Sequence, residues 1–214
     1  MRLGLFGGTF DPVHNAHLFV AEGARDELGL DAVAFLPAKG GRYRDGAPTA
    51  SADDRVAMLR LAIASNERFS LDESDLAAGA TGYTADVLPL VRARYPGAEL
   101  TFIVGGDSLL ESPWRRFDEV LDGLERFAIA PRADRPLDPL RSLIASLEPE
   151  RRAKMTILGL PMLAESATLV RSRLAAGASV RYMVPEPVWR YIAERGLYRQ
   201  GCGAPGPQPP PDAR

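Results

Sequence analysis

Short apolar runs alternate along the chain with longer stretches in which apolar residues recur every three or four positions. The runs fall at 3–6, 32–36, 69–71, 100–104, 127–130 and 155–158, and the periodic stretches at 18–28, 56–63, 84–94 and 137–147. Short apolar runs read as buried strands, and the longer period reads as amphipathic helix. Their alternation predicts βαβ units. The expected fold class is α/β: a Rossmann-like, doubly wound, mainly parallel sheet with helices on both faces. Ligands of such sheets sit beyond the C-terminal strand ends, so chemistry is expected just after the runs.

A length of 214 residues suits one large domain, expected over residues 1–200. Residues 201–214, GCGAPGPQPPPDAR, hold five prolines and three glycines with almost nothing to bury, and are expected to form a disordered tail. Lys plus Arg is 26 and Asp plus Glu is 28, a formal charge of -2. That balance lacks the positive field of a sequence-independent nucleic-acid binder, so a nucleotide partner is expected to be small. The single cysteine, Cys202, has no internal disulfide partner, and two histidines are too few for the usual structural zinc sites. The count fits a reducing cytoplasm. Arg2 is followed by only four residues before Gly7, and no apolar window approaches bilayer length, so a soluble, untargeted protein is expected.

Two glycine pairs follow strands: Gly7-Gly8 in GGTFDPVHNAH, residues 7–17, and Gly105-Gly106 before Asp107. A glycine pair there serves a sharp turn as readily as a ligand. Neither the Gly-x-Gly-x-x-Gly fingerprint nor the Gly-Lys-Ser/Thr of a P-loop is present. Pro12 suits the loop or first turn before a helix, which is expected from about Asn15. His14 and His17 are the only histidines, and at i and i+3 they share a helix face from which both rings reach one ligand. Bare N–H groups and imidazole donors make a plausible polyphosphate site, where histidine can also carry positive charge. A helix-capping or surface pair and a metal pair remain open. Asp11 alone makes a poor third metal ligand.

A second cluster is ESATLVRSR, residues 165–173. Ser166 and Thr168 suit a helix start, and Arg171 lies three positions beyond Thr168 on the same face. Hydroxyls, free N–H groups and a guanidinium fork match a phosphate chain. An ordinary capped helix with a solvated arginine has the same pattern. Tyr83 and Trp114 stand outside the apolar runs, and Trp114, between Pro113 and Arg115, suits a partly exposed ring that stacks on a heterocycle.

GGTFDPVHNAH resembles the Gly-x-Phe-Asp-Pro-x-His-x-Gly-His signature of the nucleotidylyltransferase superfamily, and SATLVR its Ser-x-Thr-x-x-Arg partner. With FLP at 35–37, GYTADVL at 82–88, FIVGGDSL at 102–109, Trp114 and RYMVPEPVWRYIAERGLY at 181–198, residues 1–199 are similar to the bacterial nicotinate-nucleotide adenylyltransferases. The resemblance implies adenylyl transfer from ATP to nicotinate mononucleotide (NaMN), giving deamido-NAD and pyrophosphate in NAD biosynthesis, with Mg²⁺ carried on ATP and no protein metal ligand. It implies catalytic roles for His14, His17 and Arg171. Gly7, Gly8, Thr9, Phe10, Gly105, Asp107, Ser166 and Thr168 would contact ATP; Tyr83, Thr84, Asp86, Trp114 and Arg44 would contact NaMN. Nicotinamide mononucleotide, phosphopantetheine and a non-catalytic nucleotide-binding module are the alternatives, and a homo-oligomer is left open.

Three positions depart from the family pattern. Ala16 stands where glycine is usual before the second histidine, Ala167 replaces a common serine, and GRYR at 41–44 replaces Pro-Pro-His-Lys. Lys39, Arg42 and Arg44 are the candidate replacements for the missing His-Lys.

Overall fold

The computed structural model describes residues 1–39, 49–111, 114–132, 135–161 and 163–199. The order is β1 (Arg2–Gly8), α1 (Asn15–Leu28), β2 (Ala32–Pro37), α2 (Ala52–Ile63), β3 (Phe69–Leu71), α3 (Thr84–Arg94), β4 (Glu99–Gly105), α4 (Gly106–Glu111), α5 (Phe117–Asp122), β5 (Arg126–Ala130), α6 (Asp138–Ser146), α7 (Pro149–Lys154), β6 (Met155–Ile157), α8 (Ala167–Ala175) and α9 (Glu186–Arg195). Each apolar run is a strand. The four periodic stretches lie in α1, α2, α3 and α6.

The strands form one six-stranded sheet in the order β3-β2-β1-β4-β5-β6, and every pairing is parallel. This is the Rossmann order, with its switch point between β1 and β4. Leu3 pairs with Leu100 and Leu5 with Phe102 across that junction. Side chains alternate between two cores, as a period of two requires. Phe6, Val33, Phe35 and Ile103 face one way, under Ala21 of α1, Met58 of α2, Val170 of α8 and Trp189 of α9. Leu3, Leu5, Leu100, Phe102 and Phe127 face the other, under Val87 of α3, Val120 of α5 and Leu140 of α6. Burial on both faces is why the central strands read as nearly continuous apolar runs.

Among the described residues no helix is long and apolar enough to cross a membrane. Residues 201–214, the expected tail, lie outside the described residues.

Candidate active site

At the end of β1 the chain must turn sharply beside β4. A Cβ on Gly7 would lie 2.7 Å from the Phe102 ring, so only glycine lets the two strand ends approach. Phe10 then adopts a left-handed backbone (φ 51) that turns its ring inward to 1% exposure, 5.0 Å from the His17 ring. The strained backbone costs about 1–2 kcal/mol, which burial of a phenyl ring worth roughly 1.5–3 kcal/mol offsets.

His14 is the N-cap of α1, with extended backbone, and His17 sits one turn on. The His14 backbone N–H donates to His17 Nδ1 at 3.2 Å, and the ring centroids are 3.7 Å apart. The capping reading and the shared-face reading of the pair are therefore both realised. With Nδ1 accepting, neutral His17 carries its proton on Nε2, which remains a donor.

Ser166 caps α8, its hydroxyl accepting from the Leu169 N–H at 3.1 Å. One turn on, Arg171 Nη1 donates to the Asp11 carbonyl at 2.7 Å and Nη2 to Thr168 Oγ1 at 3.3 Å. Residues 160 positions apart in the chain thus meet between β1 and α1. Asp11 organises this junction: its carboxylate accepts from the Thr49 and Ala50 N–H groups at 2.8 and 3.0 Å and from the Tyr198 hydroxyl at 2.8 Å, with Arg171 at 3.9 Å.

A single cavity of about 870 Å³ is lined by Gly7, Gly8, Thr9, His14, His17, Gly105, Asp107, Ser166, Thr168 and Arg171 together with Tyr83, Thr84 and Trp114. Phe10 also lines it, although its ring is spent on the core. Trp114 packs edge-on against Phe102 and Phe127, and its Nε1–H donates to the Ser108 carbonyl at 3.0 Å. Lys39, Ala16 and Ala167 reach the wall as well. Asp86, expected to contact NaMN, does not line the cavity: its carboxylate accepts from Thr81 Oγ1 and pairs with Arg116. Arg42 and Arg44 lie outside the described residues.

Residues 5–173 match the cytidylyltransferase-like family. A protein of Symbiobacterium thermophilum named "Probable nicotinate-nucleotide adenylyltransferase" is 37% identical over 201 residues, spanning 94% of this chain and 96% of that one. One of the same name from Neisseria meningitidis serogroup B is 40% identical over 202 residues, spanning 93% and 99%. The chain belongs to the nicotinate-nucleotide adenylyltransferase family. Its fold is also that of the Plasmodium falciparum nicotinic acid mononucleotide adenylyltransferase complexed with NaAD, at TM-score 0.74 and 18% identity over 92% of this chain and 97% of that one.

In this member of the adenylyltransferase family both imidazoles are neutral near pH 7. Burial lowers the pKa of His14 from 6.5 to about 4, with a further push from the positive charge of Arg132. His17 is held well below the ordinary histidine range by burial, then by His14, then by Arg132. Folding disfavours protonation, so the unfolded chain binds more protons below pH 6.5, and stability is lost as pH falls from 6.5 towards 4. For His14 alone the loss by pH 5 is about 2 kcal/mol. Thermal melting across pH 5–7.5 should show the wild type falling and His14→Asn falling less; parallel curves would reject a buried neutral His14.

Sequence reasoning also missed two arginines. Arg55 of α2, 1% exposed, donates from Nη1 to the carbonyls of Thr9 at 2.7 Å and Ala38 at 2.9 Å, tying the turn after β1 to the end of β2. Arg132, just beyond β5, lines the cavity 3.9 Å from Asp107. Among the described residues no cluster of three or more His, Cys, Asp or Glu side chains is arranged to hold a metal ion.

Proposed function

We propose that this cavity binds Mg·ATP and NaMN and catalyses adenylyl transfer between them. The observation that carries the reading is the meeting of His14, His17 and Arg171 on one cavity at the switch point of the sheet. A phosphate oxygen of NaMN attacks the α-phosphorus of ATP. The new P–O bond forms as the bond from the α-phosphorus to the bridging oxygen breaks, and pyrophosphate leaves with the electron pair. No protein nucleophile is needed. The work is alignment and charge stabilisation, in which preorganised donors act without reorganising during the reaction.

In this reading the imidazole N–H donors and the Arg171 guanidinium hold the polyphosphate from opposite sides, with Arg132 as a further cation. Gly7, Gly8, Thr9, Ser166 and Thr168 offer backbone N–H and hydroxyl groups to ATP, and Gly105 and Asp107 flank its ribose. Mg²⁺ enters as part of the nucleotide substrate and neutralises phosphate charge. Tyr83, Thr84 and Trp114 form the wall for the pyridine ring, and Lys39 is the described candidate for the family's missing His-Lys. The family named by the relatives supports both substrates, and the composition suits a cytoplasmic enzyme.

The test offers the purified full chain Mg·ATP with NaMN, nicotinamide mononucleotide or phosphopantetheine and measures pyrophosphate release. Release with NaMN and formation of the dinucleotide are expected. Release with phosphopantetheine alone, or ATP binding without release for any acceptor, would overturn the reading.

A further inference from the structure

Several arginines edge the cavity and its rim, and their partners differ. Arg116 pairs with Asp86 and Glu119, Arg132 faces Asp107 at 3.9 Å, and Arg135 holds Glu111 at 2.6 Å. Arg115 has a different neighbour. Its guanidinium lies over the Tyr83 ring, 4.6 Å from the centroid, and among the described residues no carboxylate lies within 4.0 Å of it. Both residues line the cavity beside Trp114.

A guanidinium stacked on an aromatic ring keeps its in-plane N–H fork available, because the π face occupies only the plane's surface. A cation left without a carboxylate beside two aromatic side chains suits a flat ring bearing its own negative charge. We propose that Arg115 is a specificity-determining residue that selects an acceptor with a carboxylate on its pyridine ring over one with a carboxamide. The inference rests on the NaMN reading above. A carboxylate accepts from the fork through both oxygens. A carboxamide in the same place offers one acceptor and turns its NH₂ towards a cation, which adds a repulsive element to the missing attraction. Lys39 is less suited to the task, since its Nζ donates to the Ala80 carbonyl at 2.8 Å.

The experiment measures kcat and KM for NaMN and nicotinamide mononucleotide in the wild type, Arg115→Ala, Arg115→Lys and Arg115→Glu. Arg115 is exposed, so all four proteins should fold. Arg115→Ala is expected to raise KM for NaMN about 10-fold, equivalent to about 1.4 kcal/mol, with kcat little changed and the amide's KM lowered as the repulsion is removed. Arg115→Lys should recover part of the loss, and Arg115→Glu should exceed it. Equal changes for both acceptors, or an unchanged ratio in Arg115→Ala and Arg115→Glu, would overturn the role of Arg115 while leaving the NaMN reading intact. A wild type that transfers to neither pyridine nucleotide would bring down both.

Discussion

A His17→Ala variant is expected to turn over Mg·ATP and NaMN at least ~100-fold more slowly while remaining folded, the scale of losing one preorganised transition-state donor. The geometry explains why this ring should matter so much. His17 Nδ1 is occupied by the His14 backbone N–H, which leaves Nε2–H as the remaining donor. Phe6 and Phe10 pack against the imidazole at 6.0 and 5.0 Å, so the donor is held in place before substrate arrives. Removing the ring opens a small void beside those phenyls and frees the capped N–H, for a stability loss of about 1–3 kcal/mol. Steady-state kcat beside a thermal melt separates the two effects. His17→Asn, which restores a shorter donor, should fall between alanine and wild type. Near-normal turnover in folded His17→Ala would reject the role assigned to this imidazole.

The strands were legible because a parallel sheet buried on both faces needs nearly continuous apolar runs. Leu100 to Val104 illustrates it: Leu100, Phe102 and Val104 point to one core and Ile103 to the other, and the one polar residue between them, Thr101, is small, β-branched and itself buried. The neighbour relation of β1 and β4 was not legible, since nothing in either run names its partner across more than ninety residues. Yet that pairing sets the two glycine turns side by side at the switch point. The short helices were also silent. α4, α5 and α7 span six residues each, fewer than two turns, so no periodicity accumulates.

Within the site, positions fixed by local spacing were legible in the sequence, and positions fixed by tertiary contact were not. His14 and Ser166 cap helices, and His17, Thr168 and Arg171 follow within the first two turns, where local spacing dictates direction. Asp11 lies inside the same motif, but its partners at 49, 50 and 198 cannot be read from its neighbours. Arg55 did leave a signal. It shares a stripe with Leu59 and Ala62, four and seven residues on, and an arginine on the buried stripe of a helix calls for buried acceptors. Arg132 follows the fifth apolar run by two residues, so the rule that places chemistry after strands also covered it. Asp86 shows the reverse error: in the first turn of α3 it looks aimed at a ligand, whereas Thr81 and Arg116 hold it outside the cavity.

Replacing Arg171 tests whether the two distant clusters act on one triphosphate. Of its five N–H donors, one goes to the Asp11 carbonyl and one to Thr168 Oγ1, which fixes the guanidinium plane and leaves three for phosphate oxygens. Arg171→Ala is expected to lower kcat/KM for ATP by roughly 10²–10³-fold, since a charge-assisted fork is lost from a site that must stabilise developing charge. Arg171→Lys keeps the charge but cannot hold Asp11 and Thr168 while contacting two oxygens, so a loss of about 10–100-fold is expected. Asp11 retains Thr49, Ala50 and Tyr198 in both variants, so melting temperatures should shift by only a few degrees. A lysine variant equal to wild type would mean that a point charge suffices and the fork is dispensable. An alanine variant within about threefold of wild type would mean that the imidazole side holds the phosphates alone, and the two-sided clasp on the triphosphate would have to be abandoned.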